Sequence, residues 1–249
     1  MKAMIFAAGL GTRLRPLTNS KPKALVEIGG KTLLERCICY LKNFQIHDIT
    51  INIHHYDQQI SDFLSQNDNF NIRIHLSDES ARLLDTGGGI LKAKAFLKGK
   101  EPILLINVDV LTNLDLDQLF RFHTDSKAMA SLVVRKRDTS RYLLFGESRQ
   151  LAGWKNTCTN EVKVCRPDSI ERAVPLAFSG IHLISPELLS MITETGKFSV
   201  IDLYLRLAAH EKILSFVDSG SIWMDLGKYE EIDQAEQLVK KIADMQKQK

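Results

Sequence analysis

The chain has 249 residues, 44% hydrophobic and 25% charged, enough apolar material for one large α/β domain or two small ones. Thirty-three basic against 30 acidic residues give a formal charge of +3, too balanced for a nucleic-acid-binding surface. No apolar run approaches the roughly 18 residues of a membrane span, and the start lacks a secretory leader's basic region, apolar core and cleavage site, so the expectation is a cytoplasmic protein with no membrane partner.

Ala3 to Ala8 is an apolar run short enough for a buried strand, and it leads straight into Gly9, Gly11, Thr12 and Arg13. Glycines at alternate positions permit torsions closed to other residues and let main-chain N–H groups approach a ligand, which suits a nest for anionic oxygens. Arg13 and Lys23, a rigid fork and a mobile point charge, are spaced to hold different phosphates of one triphosphate. The loop is not a dinucleotide fingerprint, because Leu14 stands where the third glycine is needed and Pro16 follows. Nor is it a P-loop, since no Gly-Lys-Ser/Thr follows at the required spacing.

Thr32 is placed to cap a helix running to about Asn43, with Glu35 at its third position and Leu33, Leu34, Cys37, Ile38 and Leu41 on one stripe. A strand over Asp48 to Ile53, a helix over Gln58 to Leu64 and a strand over Ile72 to Leu76 follow. Such alternation predicts crossover connections, a mostly parallel sheet, and ligands bound beyond the carboxyl ends of its strands. His54 and His55 end one strand and read as structural or surface side chains, with a ligand contact at the strand end as the alternative; neither the histidines nor the four cysteines show metal-ligand spacing.

Leu84 to Ile90 holds three consecutive glycines at a helix entrance, which permits close backbone approach to a flat or anionic group. Ile103 to Ile106 reads as a central strand buried on both faces, ending in Asn107-Val108-Asp109. A carboxylate there can hold Mg²⁺ against nucleotide phosphates, or simply cap the next turn. Ala128 to Arg135 is a strand ending in Arg135-Lys136-Arg137, read as a solvated loop, with a substrate role as the alternative. Arg141 to Lys163 reads as hairpin material with turns at Gly146-Glu147 and Gly153, and Lys155 and Lys163 are open to a sugar-phosphate role. Cys165 to Val174 is a surface connection. Phe178 to Ile184 is a strand, Ser185-Pro186-Glu187 begins a capped helix, and Phe198 to His210 is an amphipathic one. Asp225 lies in Ile222 to Gly227, before a helix over Tyr229 to Lys241 whose basic end is expected to fray from Lys240.

Leu10-Gly11-Thr12-Arg13-Leu14-Arg15-Pro16-Leu17-Thr18, preceded by Ala7-Ala8-Gly9 and followed by Lys21-Pro22-Lys23, resembles the opening motif of the sugar-1-phosphate nucleotidylyltransferases. Members join a nucleoside triphosphate to a sugar 1-phosphate and release pyrophosphate. The resemblance covers nearly the whole chain, most weakly Arg135 to Val174. It implies an α/β, Rossmann-like, doubly wound fold with a mostly parallel mixed sheet flanked by helices. It also implies one nucleotidyltransferase domain over 1–249, with a nucleotide-binding half at 1–135 and a sugar-binding half at 136–249.

Carried over residue by residue, the resemblance puts Ala8, Gly9, Gly11 and Thr12 around the nucleotide phosphates, Arg13 on the leaving pyrophosphate and Lys23 near the reacting phosphate. Thr86, Gly87 and Gly88 would approach the nucleobase; Asn107, Ser179 and Gly180 would line the sugar-phosphate pocket; Asp109 and Asp225 would hold Mg²⁺. Val108 replaces the glycine usual between its polar neighbours, a departure that bears on the local backbone. Asp85-Thr86-Gly87-Gly88-Gly89-Ile90 is similar to Glu-Thr-Gly-Gly-Gly-Ile of the N-acetylmuramate 1-phosphate uridylyltransferases. With Phe178-Ser179-Gly180-Ile181 and no repeat-rich extension, it favours UTP and N-acetylmuramate 1-phosphate, in cell-wall sugar recycling. The alternatives are mannose-1-phosphate guanylyltransferase, cytidylyl transfer to a choline-like phosphate, and a regulatory nucleotide-binding protein without catalysis. A monomer or small homo-oligomer is expected.

Overall fold

In the computed structural model, which describes residues 1–247, the chain opens with β1 (Lys2–Phe6), the short pair β2 (Glu27–Ile28) and β3 (Lys31–Thr32), and α1 (Leu33–Asn43). Then come β4 (Asp48–Ile53), α2 (Asp57–Gln66), β5 (Arg73–Asp78), α3 (Asp85–Leu97), β6 (Ile103–Asn107), β7 (Val110–Thr112) and α4 (Leu116–Ser126). The second half holds β8 (Ala130–Arg135), β9 (Arg141–Phe145), β10 (Leu151–Asn156), β11 (Glu161–Val164), α5 (Pro167–Ile170) and β12 (Val174–Ile184). It ends with α6 (Val200–Leu207), β13 (Ile213–Val217), β14 (Trp223–Asp225) and α7 (Ile232–Lys247).

One ten-stranded sheet runs through both halves, in the order β11-β10-β9-β12-β6-β1-β4-β5, with β8 on β12 and β13 on β8. The four strands β5-β4-β1-β6 are parallel, as the helical crossovers between them require. Strand β12 enters antiparallel beside β6 and ties the second half to the first. The sheet is thus mixed, parallel at its centre and covered by helices on both faces.

Period-2 alternation assigns each side chain of the central strands to one of two cores. Ala3 and Ile5 of β1 and Leu104 and Ile106 of β6 join α1, α2 and α7 on one face. Met4, Ile103 and Leu105 face the other way, onto α3 and α6. Both faces being covered explains why β6 has no polar residue before Asn107. Each fully buried side chain of the Ile5 or Leu105 kind contributes about 1.5–3 kcal/mol.

Local signals work as expected at α1. The Thr32 hydroxyl accepts the Glu35 N–H at 3.0 Å, and the five stripe residues are all buried. The Glu35 carboxylate turns to Lys31 at 2.8 Å instead of closing a reciprocal cap.

Elsewhere the structure corrects the sequence reading. Gly153 is no turn: it lies inside β10 at a register shift against β9, where a Cβ would sit 2.6 Å from the Lys163 carbonyl, and the chain reverses at 157–160 instead. Ser185 does not cap a helix with its side chain. Its hydroxyl donates to the Ala128 carbonyl at 2.8 Å, and a single 3-10 turn, Pro186–Ser190, follows. Helix α7 continues past Lys240 to Lys247, and the remainder of the expected frayed tail lies outside the described residues.

Candidate active site

The strand order changes direction at β1, whose neighbours β4 and β6 are reached by opposite excursions of the chain. Such a switch point opens a crevice beyond the carboxyl ends of the strands. There lies a cavity of about 380 Å³ whose walls include Ala8, Gly9, Lys23, Thr86, Asn107 and Asp109. Its size suits a small ligand. Two further wall residues, Asn52 and Glu79, form a buried bracket. The Asn52 side chain accepts the Ala7 N–H at 2.8 Å and donates to Glu79 Oε1 at 2.8 Å, while Glu79 Oε2 accepts the Leu84 N–H at 2.9 Å. This bracket fixes the root of the Gly9 loop against the entry of α3. Sequence reading missed both residues, although Asn52 sits at the carboxyl end of one predicted strand and Glu79 three residues past the end of the next, where the same switch-point rule points.

Gly11 has φ +62° and would bring a Cβ to 3.0 Å from both Lys23 Cβ and Thr18 Cγ2, so the loop closes on itself only with glycine there. Thr18 secures it by donating to the Gly11 carbonyl at 2.9 Å. Gly11, Thr12 and Arg13 do not line the cavity. Thr12 is exposed in a separate hollow with Thr18, His55 and Tyr56. The exposed Arg13 guanidinium lies near Gly227, 3.5 Å from where a Cβ on that residue would stand.

Gly87 and Gly88, expected to approach a nucleobase, do not line it either. They lie in the first turn of α3, pressed against the 196–198 segment. A Cβ on Gly87 would sit 2.3 Å from the Phe198 ring, and one on Gly88 2.4 Å from the Gly196 carbonyl oxygen. Both glycine N–H groups donate to the Phe198 carbonyl, at 3.0 and 3.3 Å. The absence of side chains here serves helix-to-loop packing. Thr86 does reach the cavity wall, with its hydroxyl accepting the Val200 N–H at 3.0 Å.

A second cavity of about 280 Å³ adjoins the first and shares Asn107 with it. Ser179, Gly180 and Asp225 line it, so the expected sugar-phosphate residues come together. Gly180 has φ +73°, and a Cβ there would meet Asn107 Nδ2 at 2.8 Å. Trp223 Nε1 donates to the Ser179 carbonyl at 2.9 Å and holds β14 against β12. Arg135 and Arg137 lie over the Trp223 ring at 5.0 and 4.7 Å, and Arg135 is also paired with Asp218. The solvated-loop reading of these cations therefore fails, because Trp223 arrives from nearly ninety residues away to pin them. Lys155 lies over Tyr142 and Lys163 pairs with Asp202 at 2.8 Å, so neither lines the cavity.

The two expected metal ligands stand where the cavities meet. Strand β7, which follows Asp109, pairs with β14, which ends in Asp225, and the Leu226 N–H donates to the Asp109 carbonyl at 3.0 Å. Val108 in the family's glycine position has no left-handed backbone and packs into the core. Lys23 forms an ion pair with Asp109, while Asp109 Oδ1 is buried without a hydrogen-bond partner. Asp225 keeps an edge open to solvent, yet burial of its carboxyl and then the charge of Asp109 raise it above its ordinary range; Arg137 offsets part of the shift. An orphaned oxygen and two mutually repelling carboxylates fit a hard divalent cation. Among the described residues no group of three or more His, Cys, Asp or Glu gathers as a metal site, so further ligands would be phosphate oxygens and water.

The nucleotidyl transferase family model matches residues 2–146. The chain belongs to this family. It is 32% identical to an N-acetylmuramate alpha-1-phosphate uridylyltransferase of Caulobacter vibrioides, over 90% of this chain and 91% of that protein. It is 31% identical to the enzyme of the same name from Neisseria meningitidis, over 96% and 98%. It is also 30% identical to a mannose-1-phosphate guanyltransferase of Pichia angusta, covering 92% of this chain and 61% of that longer protein. Among solved structures it superposes on an inositol-1-phosphate CTP transferase of T. maritima with a TM-score of 0.76 at 15% identity, over 97% of this chain and 95% of that one. A UDP-glucose pyrophosphorylase with bound UDP-glucose gives 0.75 at 18%, over 96% and 98%. These two share the doubly wound fold.

Proposed function

We propose that the protein transfers a nucleotidyl group from a nucleoside triphosphate to a sugar 1-phosphate, with UTP and N-acetylmuramate 1-phosphate as its substrates and Mg²⁺ as its cofactor. The observation that carries this reading is the pair of adjoining cavities that share Asn107 and place Asp109 and Asp225 at their junction. The first takes the nucleotide and the second the sugar phosphate.

The sugar phosphate is already an anion, so no general base is required. Its oxygen attacks the α-phosphorus, the bond from that phosphorus to the bridging oxygen breaks, and pyrophosphate leaves with the electron pair. What the protein supplies is alignment of two anions that repel each other. Lys23, now on Asp109, is placed to turn to the reacting phosphate, and the amides of the Gly9 loop to the departing pyrophosphate. Among the described residues Arg13 forms no ion pair that it must give up, and from its exposed place outside the cavity it would turn inward to join them. Asn107 reaches into both cavities and sets the line between nucleophile and target. Asp109 and Asp225 would hold Mg²⁺, which when bound neutralises phosphate charge.

The test is pyrophosphate release with UTP, GTP, CTP, ATP and dTTP, each against N-acetylmuramate, mannose, glucose and N-acetylglucosamine 1-phosphates. Release chiefly with UTP and N-acetylmuramate 1-phosphate is the expected result. Release chiefly with GTP and mannose 1-phosphate replaces the substrates, and no release in any pair, with nucleotide still bound, removes the enzymatic reading.

A further inference from the structure

Two arginines lie over one indole, and only one of them has a counter-charge. Arg135, 5.0 Å from the centre of the Trp223 ring, is paired with the buried Asp218 and donates to the Ser221 hydroxyl at 3.1 Å. Arg137, 4.7 Å from the same ring, forms no ion pair among the described residues. Its guanidinium makes two long bonds, to the Asp138 and Phe178 carbonyls at 3.3 Å each, and its Nε is buried with no partner. A half-buried cation held by neutral acceptors alone gives up hydration without full compensation. Arg135 serves the fold, whereas Arg137 keeps a charge that the fold does not use. Arg137 lines the second cavity together with Asn107, Ser179 and Asp225. Ser179 Oγ is likewise buried without a hydrogen-bond partner, and the charge of Arg137 is felt at the Asp225 carboxyl.

We infer that Arg137 binds the phosphate of the acceptor, the sugar 1-phosphate, and that Ser179 donates to the same group. A phosphate supplies to Arg137 the counter-charge that Asp218 supplies to Arg135, and the guanidinium fork meets two of its oxygens in parallel. Trp223, fixed by its bond to the Ser179 carbonyl, holds the fork in place beneath the arriving anion. Arg137 thereby offsets the repulsion between the two phosphates from the acceptor's side, as Lys23 and the Gly9 loop do from the nucleotide's. This rests on the functional reading above, to which it adds a residue for the acceptor. With inorganic phosphate as the probe, the test does not depend on which sugar is turned over.

The protein is kept saturated with Mg²⁺ and the non-cleavable α,β-methylene analogue of whichever nucleoside triphosphate it binds most tightly, which fills the first cavity. Inorganic phosphate is then titrated against the fluorescence of the chain's two tryptophans, Trp154 on the wall of the second cavity and Trp223 under Arg137. Arg137→Gln, Arg137→Lys and, as the structural contrast, Arg135→Gln are compared with the intact protein. The dissociation constant for phosphate is expected to rise about tenfold or more in Arg137→Gln and by less in Arg137→Lys, while affinity for the nucleotide analogue stays within about twofold. Arg135→Gln is expected to lower the thermal midpoint and to keep the phosphate affinity within about twofold. No saturable phosphate binding to the intact protein, or equal affinity in Arg137→Gln, overturns the inference. So does a loss in Arg137→Gln that the nucleotide analogue shares or that Arg135→Gln reproduces, since either marks a scaffold role. Phosphate binding that depends on Arg137, without pyrophosphate release in any substrate pair, upholds the site and removes only the catalytic reading.

Discussion

Replacing Gly88 by alanine would separate a packing glycine from a ligand-contacting one. In a helix interior the change alone would add about 1 kcal/mol of stability. Here the new methyl would stand 2.4 Å from the Gly196 carbonyl oxygen and 2.9 Å from Leu84 Cβ, about 1 Å inside ordinary contact. The segment cannot retreat freely, because Phe198 accepts from Gly87 and Gly88 and donates to Leu84 at 3.2 Å. Overpacking costs about 1–3 kcal/mol, and each hydrogen bond lost adds about 0.5–1.5 kcal/mol. The net expectation is a loss of about 2 kcal/mol, read as a fall of about 4–8 °C in the thermal midpoint. Gly99→Ala, with nothing within 4 Å of its Cβ position, serves as the control and should stay within about 0.5 kcal/mol of the unmodified protein. A Gly88→Ala protein as stable as the parent, with a raised KM for the nucleotide, would refute the packing argument and restore the nucleobase contact.

Two further outcomes follow from buried polar groups. Asn52→Ala strips partners from the Ala7 N–H and from Glu79 Oε1, so urea denaturation should report a loss of about 2–4 kcal/mol, and the KM for the nucleotide should rise as the loop root loosens. Burial lowers His182 to about 3 and His123 to about 4, both below the ordinary 6.5. The stability of their neutral forms is complete above about pH 6.5 and is lost as the pH falls toward those values. Denaturation at pH 5 should show a loss of about 2 kcal/mol per histidine relative to pH 7, and His182→Gln should remove its share of that pH dependence.

The walls of the first cavity were largely legible because their signals are local. A strand, a glycine loop and a carboxylate past a central strand can be read from short windows, and the structure brings Ala8, Gly9, Lys23, Asn107 and Asp109 to one cavity. The remainder depends on contacts between distant segments. Nothing near Gly88 announces that Gly196 will lie against it, and Arg135-Lys136-Arg137 has the composition of a solvated turn until Trp223 is packed beneath two of its members. Gly153 misleads for a related reason: a glycine required by the Lys163 backbone across a ladder looks, in sequence, like one required by a turn.

The junction of the two cavities as the reaction centre is tested most directly by pyrophosphate release from the intact protein and from Asp109→Asn, each with and without Mg²⁺. Asparagine keeps the size of the side chain and removes the charge that pairs with Lys23 and would hold the cation. The proposed mechanism predicts release by the intact protein only with Mg²⁺, and a folded Asp109→Asn variant slower by at least about 100-fold, or about 2.7 kcal/mol of barrier. Release unaffected by chelation of Mg²⁺, or an Asp109→Asn rate within about threefold of the parent, would contradict it.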